Sequence, residues 1–146
     1  MPDRLLHVRT GRHPHEILVL LATVLVGVVG TVLPSEVSQA VAETLDGWLG
    51  RAYYVGLAAF SSIALWGIFR RRIEGLLVER VAITVVALYY AVFAACVFWY
   101  YGLGGAMGAV IPTAYCIANL ARCWQIKTDL ALLKSYLRDH PGEVVR

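Results

Sequence analysis

ILVLLATVLVGVVGTVL, Ile17 to Leu33, runs for 17 residues without a charge, and its reading decides the fold. Only Thr23, Thr31, Gly27 and Gly30 interrupt its aliphatic side chains. A bilayer core of about 30 Å takes roughly 20 helical residues to cross, with about 17 as the lower limit. Outward from this stretch lie three more of the same kind: Ala52 to Phe69, Val81 to Tyr101, and one from Ala106 to Trp124. Pro34 stops the first, Arg70-Arg71-Arg72 closes the second, and Gly102 with Gly104-Gly105 closes the third. The fourth is the most polar, holding Pro112, Asn119 and Arg122. Unpaired backbone groups are excluded from hydrocarbon, so such stretches must be helices, and none alternates like a barrel strand.

The composition agrees. Of 146 residues 59% are hydrophobic and 16% charged, with a mean hydropathy of +0.65. Soluble domains average about 45–50% apolar and about 25% charged. A soluble globular enzyme, a disordered chain and a disulfide scaffold are thereby excluded. The expected fold is all-α: one membrane domain over residues 1–146, a four-helix polytopic bundle with a cytoplasmic tail at 125–146. The basic residues orient it. All 13 Lys and Arg except Arg51 fall before span one, between spans two and three, or from the inner edge of span four (Arg122) onward. That bias places both termini in the cytoplasm of a cell membrane. Trp48, Tyr53, Tyr54, Trp99, Tyr100, Tyr101 and Trp124 fall at span edges, where amphipathic rings favour headgroup depth. The net charge of +3 is explained by this topology and gives no reason to expect a nucleic-acid partner. Ala40-Val41-Ala42 after an apolar run also resembles a signal-peptide cleavage site, but the run exceeds the usual core of about 7–15 residues.

Two segments outside the spans are patterned. From Ser35 to Gly50, Val37, Val41, Leu45, Trp48 and Leu49 recur at helical spacing against Glu36, Gln39, Glu43 and Asp46, predicting one short amphipathic helix on the outer surface. It serves either as a connector resting on lipid or as a docking surface for a protein partner. In the tail, Ile126, Leu130, Leu133 and Leu137 form a 4-3-4 seam of about two heptads. The seam fits self-association, and equally an amphipathic tail with Lys and Arg snorkelling to headgroups. Pro141-Gly142 is expected to end that helix.

No catalytic, cofactor or metal residues are expected. His13-Pro14-His15-Glu16 offers possible metal donors, but Pro14 suits a first helical turn and Glu16 its positive dipole end. Cys96, Cys116 and Cys123 form no C-x-x-C pair. The middle of every span lacks an ionisable group other than tyrosine, which argues against a coupled transporter or channel. The remaining candidates lie along span four. Gly104, Gly105 and Gly108 offer a small-residue surface, Pro112 frees a carbonyl near Gly108 that Thr113 can help satisfy, and Asn119 and Arg122 share a face. They serve either to pack the four helices or to line a homo-oligomer.

With His13-Pro14-His15-Glu16 opening span one and Gly75-Leu76-Leu77-Val78-Glu79-Arg80 leading into span three, the chain resembles small membrane proteins of actinobacterial tailed phages, some described as holin-like. The resemblance implies a non-enzymatic host-membrane protein that permeabilises the bilayer by self-association. The alternative is an accessory membrane protein, acting in exclusion or in an envelope complex, that binds a partner through the outer acidic segment or the tail.

Overall fold

The computed structural model describes residues 14–70 and 73–139, apart from the side chains of Ile73, Asp129, Leu133, Tyr136, Leu137 and Asp139. Among the described residues the fold is all-α, without a strand. Four long helices, α1 (Pro14–Val32), α4 (Trp48–Phe69), α5 (Ile73–Tyr101) and α6 (Ala106–Asp139), pack in chain order, each on the next. Two short helices, α2 (Pro34–Val37) and α3 (Gln39–Thr44), join α1 to α4. A 3-10 turn, Gly102–Gly105, joins α5 to α6. Gly102 sits at φ +59°, a left-handed backbone that side chains resist, so the chain reverses there within four residues. His13, Pro141 and Gly142 lie outside the described residues.

Three stretches are long and apolar enough to cross a membrane: Pro14–Val32, Trp48–Phe69 and Glu74–Leu132. The last runs through α5, the turn and α6, so it includes both the third and fourth predicted spans. Helices outrun the apolar stretches that predicted them. α5 begins eight residues before Val81, and α6 continues without a break through the tail seam. At about 1.5 Å per residue α6 is about 50 Å long, well beyond a hydrocarbon core.

Two apolar clusters hold the helices, one toward each end. At the loop end, Val41, Tyr53, Tyr54, Leu57 and Cys96 are buried together, with Val37, Leu45, Tyr89 and Phe93 against them. Shape closes this cluster. Gly30 lets α1 lie directly on the Tyr54 ring, which a Cβ at that position would overlap. The Tyr53 hydroxyl donates to the Tyr89 carbonyl at 2.9 Å. At the opposite, basic end, Leu20, Ala64, Leu65, Ile68, Ala82 and Ile83 form the second cluster, flanked by Ile17, Val24 and Cys123. Between the clusters a Thr23–Tyr90 hydroxyl hydrogen bond ties α1 to α5.

The Ser35–Gly50 segment differs from its prediction. Ser38 adopts an extended backbone (φ −160°, ψ 112°) and divides the expected helix into α2 and α3, its hydroxyl accepting from the Val41 amide. Serine bonds its own backbone in this way readily, and here that competition wins over continuous helix. The predicted faces survive the break: Val37, Val41 and Leu45 turn inward while Glu36, Gln39, Glu43 and Asp46 stay exposed. Trp48 and Leu49 leave this segment altogether and begin α4, exposed.

Candidate functional site at the junction of three helices

α5 carries a buried stripe at Glu79, Ala82, Ile83 and Val86, spaced as one face of a helix. Its first member is a carboxylate with no exposed side-chain surface. α4 reaches it closely, because Gly67 lies where a Cβ would come within 2.8 Å of the Glu79 amide nitrogen. A buried carboxylate is costly unless paired, and the pairing comes from the last long helix. Arg122 on α6 donates from Nη2 to Glu79 Oε1 at 3.3 Å. Its Nε stands 3.8 Å from Glu16 Oε2, in the first turn of α1. One guanidinium therefore bridges the starts of α1 and α5, with 15% of its side chain exposed against 25% for Glu16. Arginine suits this role, since its planar fork reaches two acceptors while staying charged.

Beside it, the Cys123 thiol lies 3.1 Å from the Thr84 hydroxyl and donates to the Arg80 carbonyl at 3.5 Å. Thr84 also donates to the Arg80 carbonyl at 2.8 Å. The start of α5 and the middle of α6 are thus joined by a charged contact and two polar ones within two consecutive residues of α6. An exposed pair, Arg70–Glu74 at 3.6 Å, lies nearby on the turn from α4 to α5, with the Arg70 guanidinium 4.7 Å from the Trp66 ring centre. Unlike the Arg122 contacts, this pair is in water and ties only neighbouring turns.

The span-four candidates separate into two faces of α6. Gly105, Pro112 and Ile126 are buried, and Cys116, Asn119, Arg122, Cys123 and Leu130 half-buried. These positions follow the three-and-four spacing of a single face, which packs on α5. The tail residues Ile126 and Leu130 therefore continue the intramolecular seam; Leu133 and Leu137 have side chains outside the described residues. Gly105 approaches Val97 and Tyr101, and a Cβ on Gly108 would sit 3.4 Å from the Val97 side chain. Gly104 has open space around it. Pro112 does not interrupt the helix, and the Thr113 hydroxyl donates to the Ala109 carbonyl at 2.7 Å, one residue beyond the carbonyl that the proline frees. On the opposite face Met107, Ile111, Ala114, Ala118 and Ala121 are exposed.

The ion cluster brings Arg122, a predicted candidate, together with two residues that sequence reasoning left aside. In the sequence Glu16 reads as a partner of the helix dipole and Glu79 as part of the approach to span three. Glu79 was nonetheless detectable, since it precedes Ala82, Ile83 and Val86 at spacings of three, four and seven. No protein family, curated protein or solved structure matches this chain.

Proposed function

We propose that this chain is a four-span protein of the cytoplasmic membrane, with both termini inside, that works without catalysis by associating with copies of itself in a holin-like manner. The observation that carries this proposal is the outward face of α6. α6 is the last helix in the packing order and lies chiefly against α5. Its opposite face is apolar with small residues at Ala114, Ala118 and Ala121, and small residues let membrane helices approach closely. Gly105 and Gly108 are less suited to this role because they border α5. The basic residues on one side of the spans support the orientation, and the resemblance to phage membrane proteins supports the lytic outcome.

Induced expression in an actinobacterial host, with a potential-sensitive dye and viable counts, tests the proposal. An abrupt loss of potential and viability, abolished by Ala118→Leu at equal protein level, is expected. Normal growth and intact potential, with the protein in the membrane, overturn it. The exposed acidic residues Glu36, Glu43 and Asp46 favour a second function, an accessory protein that docks a basic partner. It predicts a harmless protein whose co-purifying partner is lost on neutralising those three.

A further inference from the structure

We infer that α5 and α6 form a headgroup site for one anionic phospholipid at the basic end, with Arg80 and Lys127 holding its phosphate. The inference rests on the chain spanning a bilayer and is independent of self-association and of the Arg122 contacts. Three observations carry it. The first is an unmatched charge. Arg80 is half-buried, yet among the described residues its side chain makes neither an ion pair nor a hydrogen bond. The other described lysines and arginines are exposed or, like Arg122, paired. A guanidinium near membrane depth keeps its charge and is costly without an anion.

The second observation is the register of the two helices. The Cys123 thiol donates to the Arg80 carbonyl at 3.5 Å, which fixes where α6 crosses this turn of α5. Lys127 lies one turn beyond Cys123 and is exposed. Because the two helices run antiparallel through the Gly102–Gly105 turn, that step leads toward the start of α5. Helical side chains lean toward the start of their own helix, so the Arg80 stem leads the same way. Two cations therefore border one stretch of groove. The third observation is an apolar wall beside them. Leu77 and Val81 flank Arg80 along α5, while Leu120, Trp124 and Lys127, four and three apart, share a face of α6, and all five are exposed. Acyl chains fit this wall, the Trp124 indole suits headgroup depth, and the arginine fork suits phosphate oxygens. A free phosphate ion would use the two cations but not the wall, so the occupant is a lipid. Basic sites between membrane helices hold anionic headgroups in this manner.

Trp124 reports on the site. In the full chain with Trp48→Phe, Trp66→Phe and Trp99→Phe, all at exposed positions, its fluorescence is quenched by bromine on neighbouring acyl chains. The protein is placed in phosphatidylcholine vesicles holding a minor fraction of dibrominated phosphatidylglycerol or, in parallel, of dibrominated phosphatidylcholine. The anionic lipid is expected to bind beside Trp124 at least about fivefold more strongly than the zwitterionic one. Arg80→Gln should reduce that preference to less than about twofold, and Lys127→Gln should lower it by about half. Arg80→Lys should retain part of it, and Arg70→Gln, whose charge already pairs with Glu74, should leave it alone. Equal quenching by the two lipids overturns the site. So does a preference that survives Arg80→Gln undiminished, which marks a diffuse basic surface, or displacement of the lipid by inorganic phosphate, which marks a free-anion site. Unchanged quenching by dibrominated phosphatidylcholine shows that each variant is still inserted. Quenching by neither lipid before Arg80 is altered would sink the membrane-spanning reading, and the site with it.

Discussion

The two ends of this molecule each hold an apolar cluster, and only one of them adds buried charge. At the loop end, α1, α4 and α5 meet through Tyr53, Tyr54, Tyr89 and Cys96, and the fit depends on Gly30 leaving room for the Tyr54 ring. At the basic end, an arginine from α6 joins carboxylates on α1 and α5 beside the second apolar cluster. Shape is short-ranged and tolerant of few changes in volume. Charge reaches further and is sensitive to the loss of either partner. The contrast teaches that helices sharing one packing order need not share one source of stability.

The largest expected effect breaks the charged end. Glu79→Gln should destabilise the fold by about 3 kcal/mol, the lower end of the cost of breaking a buried ion pair, because Arg122 keeps its contact with Glu16. Unfolding in mixed detergent micelles would measure it. Joint replacement Glu79→Leu with Arg122→Leu should recover much of that loss, because apolar substitutes for a whole buried pair are often near neutral. If the double variant is no better than the single, the contact is not electrostatic in origin.

A smaller effect is expected at the loop end. Gly30→Leu should cost about 1–3 kcal/mol by forcing Tyr54 from its position, the range found for overpacked interiors. A shift in tyrosine fluorescence should accompany it, whereas Glu79→Gln should leave that signal near the wild-type value. Equal spectral shifts would erase the distinction between the two ends.

Between them, Tyr90→Phe removes the hydroxyl shared with Thr23. A loss of about 0.6 kcal/mol is expected, the average for hydrogen bonds between membrane helices, because Thr23 keeps its bond to the Val19 carbonyl. The smallest effect belongs to Arg70→Ala. Its pair with Glu74 is exposed, and a change within about 1 kcal/mol is expected by the same unfolding measurement. A larger loss there would mean that charge at this end acts collectively and not through Arg122 alone.

Much of the helical content was legible, because an uncharged run such as Ile17 to Leu33 admits little besides helix. The turn at Gly102 was legible for a similar reason, the cluster of glycines there. Apolarity, however, marks where lipid-compatible residues stop and not where hydrogen bonding stops. Hence α5 begins at Ile73 and includes Glu79, and α6 continues through the tail. The division at Ser38 escaped periodicity because it rests on one hydroxyl accepting from one amide. The ion cluster escaped for a deeper reason: Glu16, Glu79 and Arg122 lie 63 and 43 residues apart, and only packing states that they meet. Single-chain patterns reveal faces, and faces alone do not identify their partners.

The order of the cluster along the chain has a consequence for how the protein is made. A ribosome releases Glu16 first, Glu79 next and Arg122 last. Both carboxylates are therefore made before their guanidinium, Glu16 in the first turn of α1 and Glu79 in the second turn of α5. Arg122 emerges only after α5 and the glycine turn are complete, already tethered beside Glu79. The contact therefore cannot close before α6 has been made as far as Arg122, so the carboxylates on α1 and α5 wait on the last helix for this guanidinium.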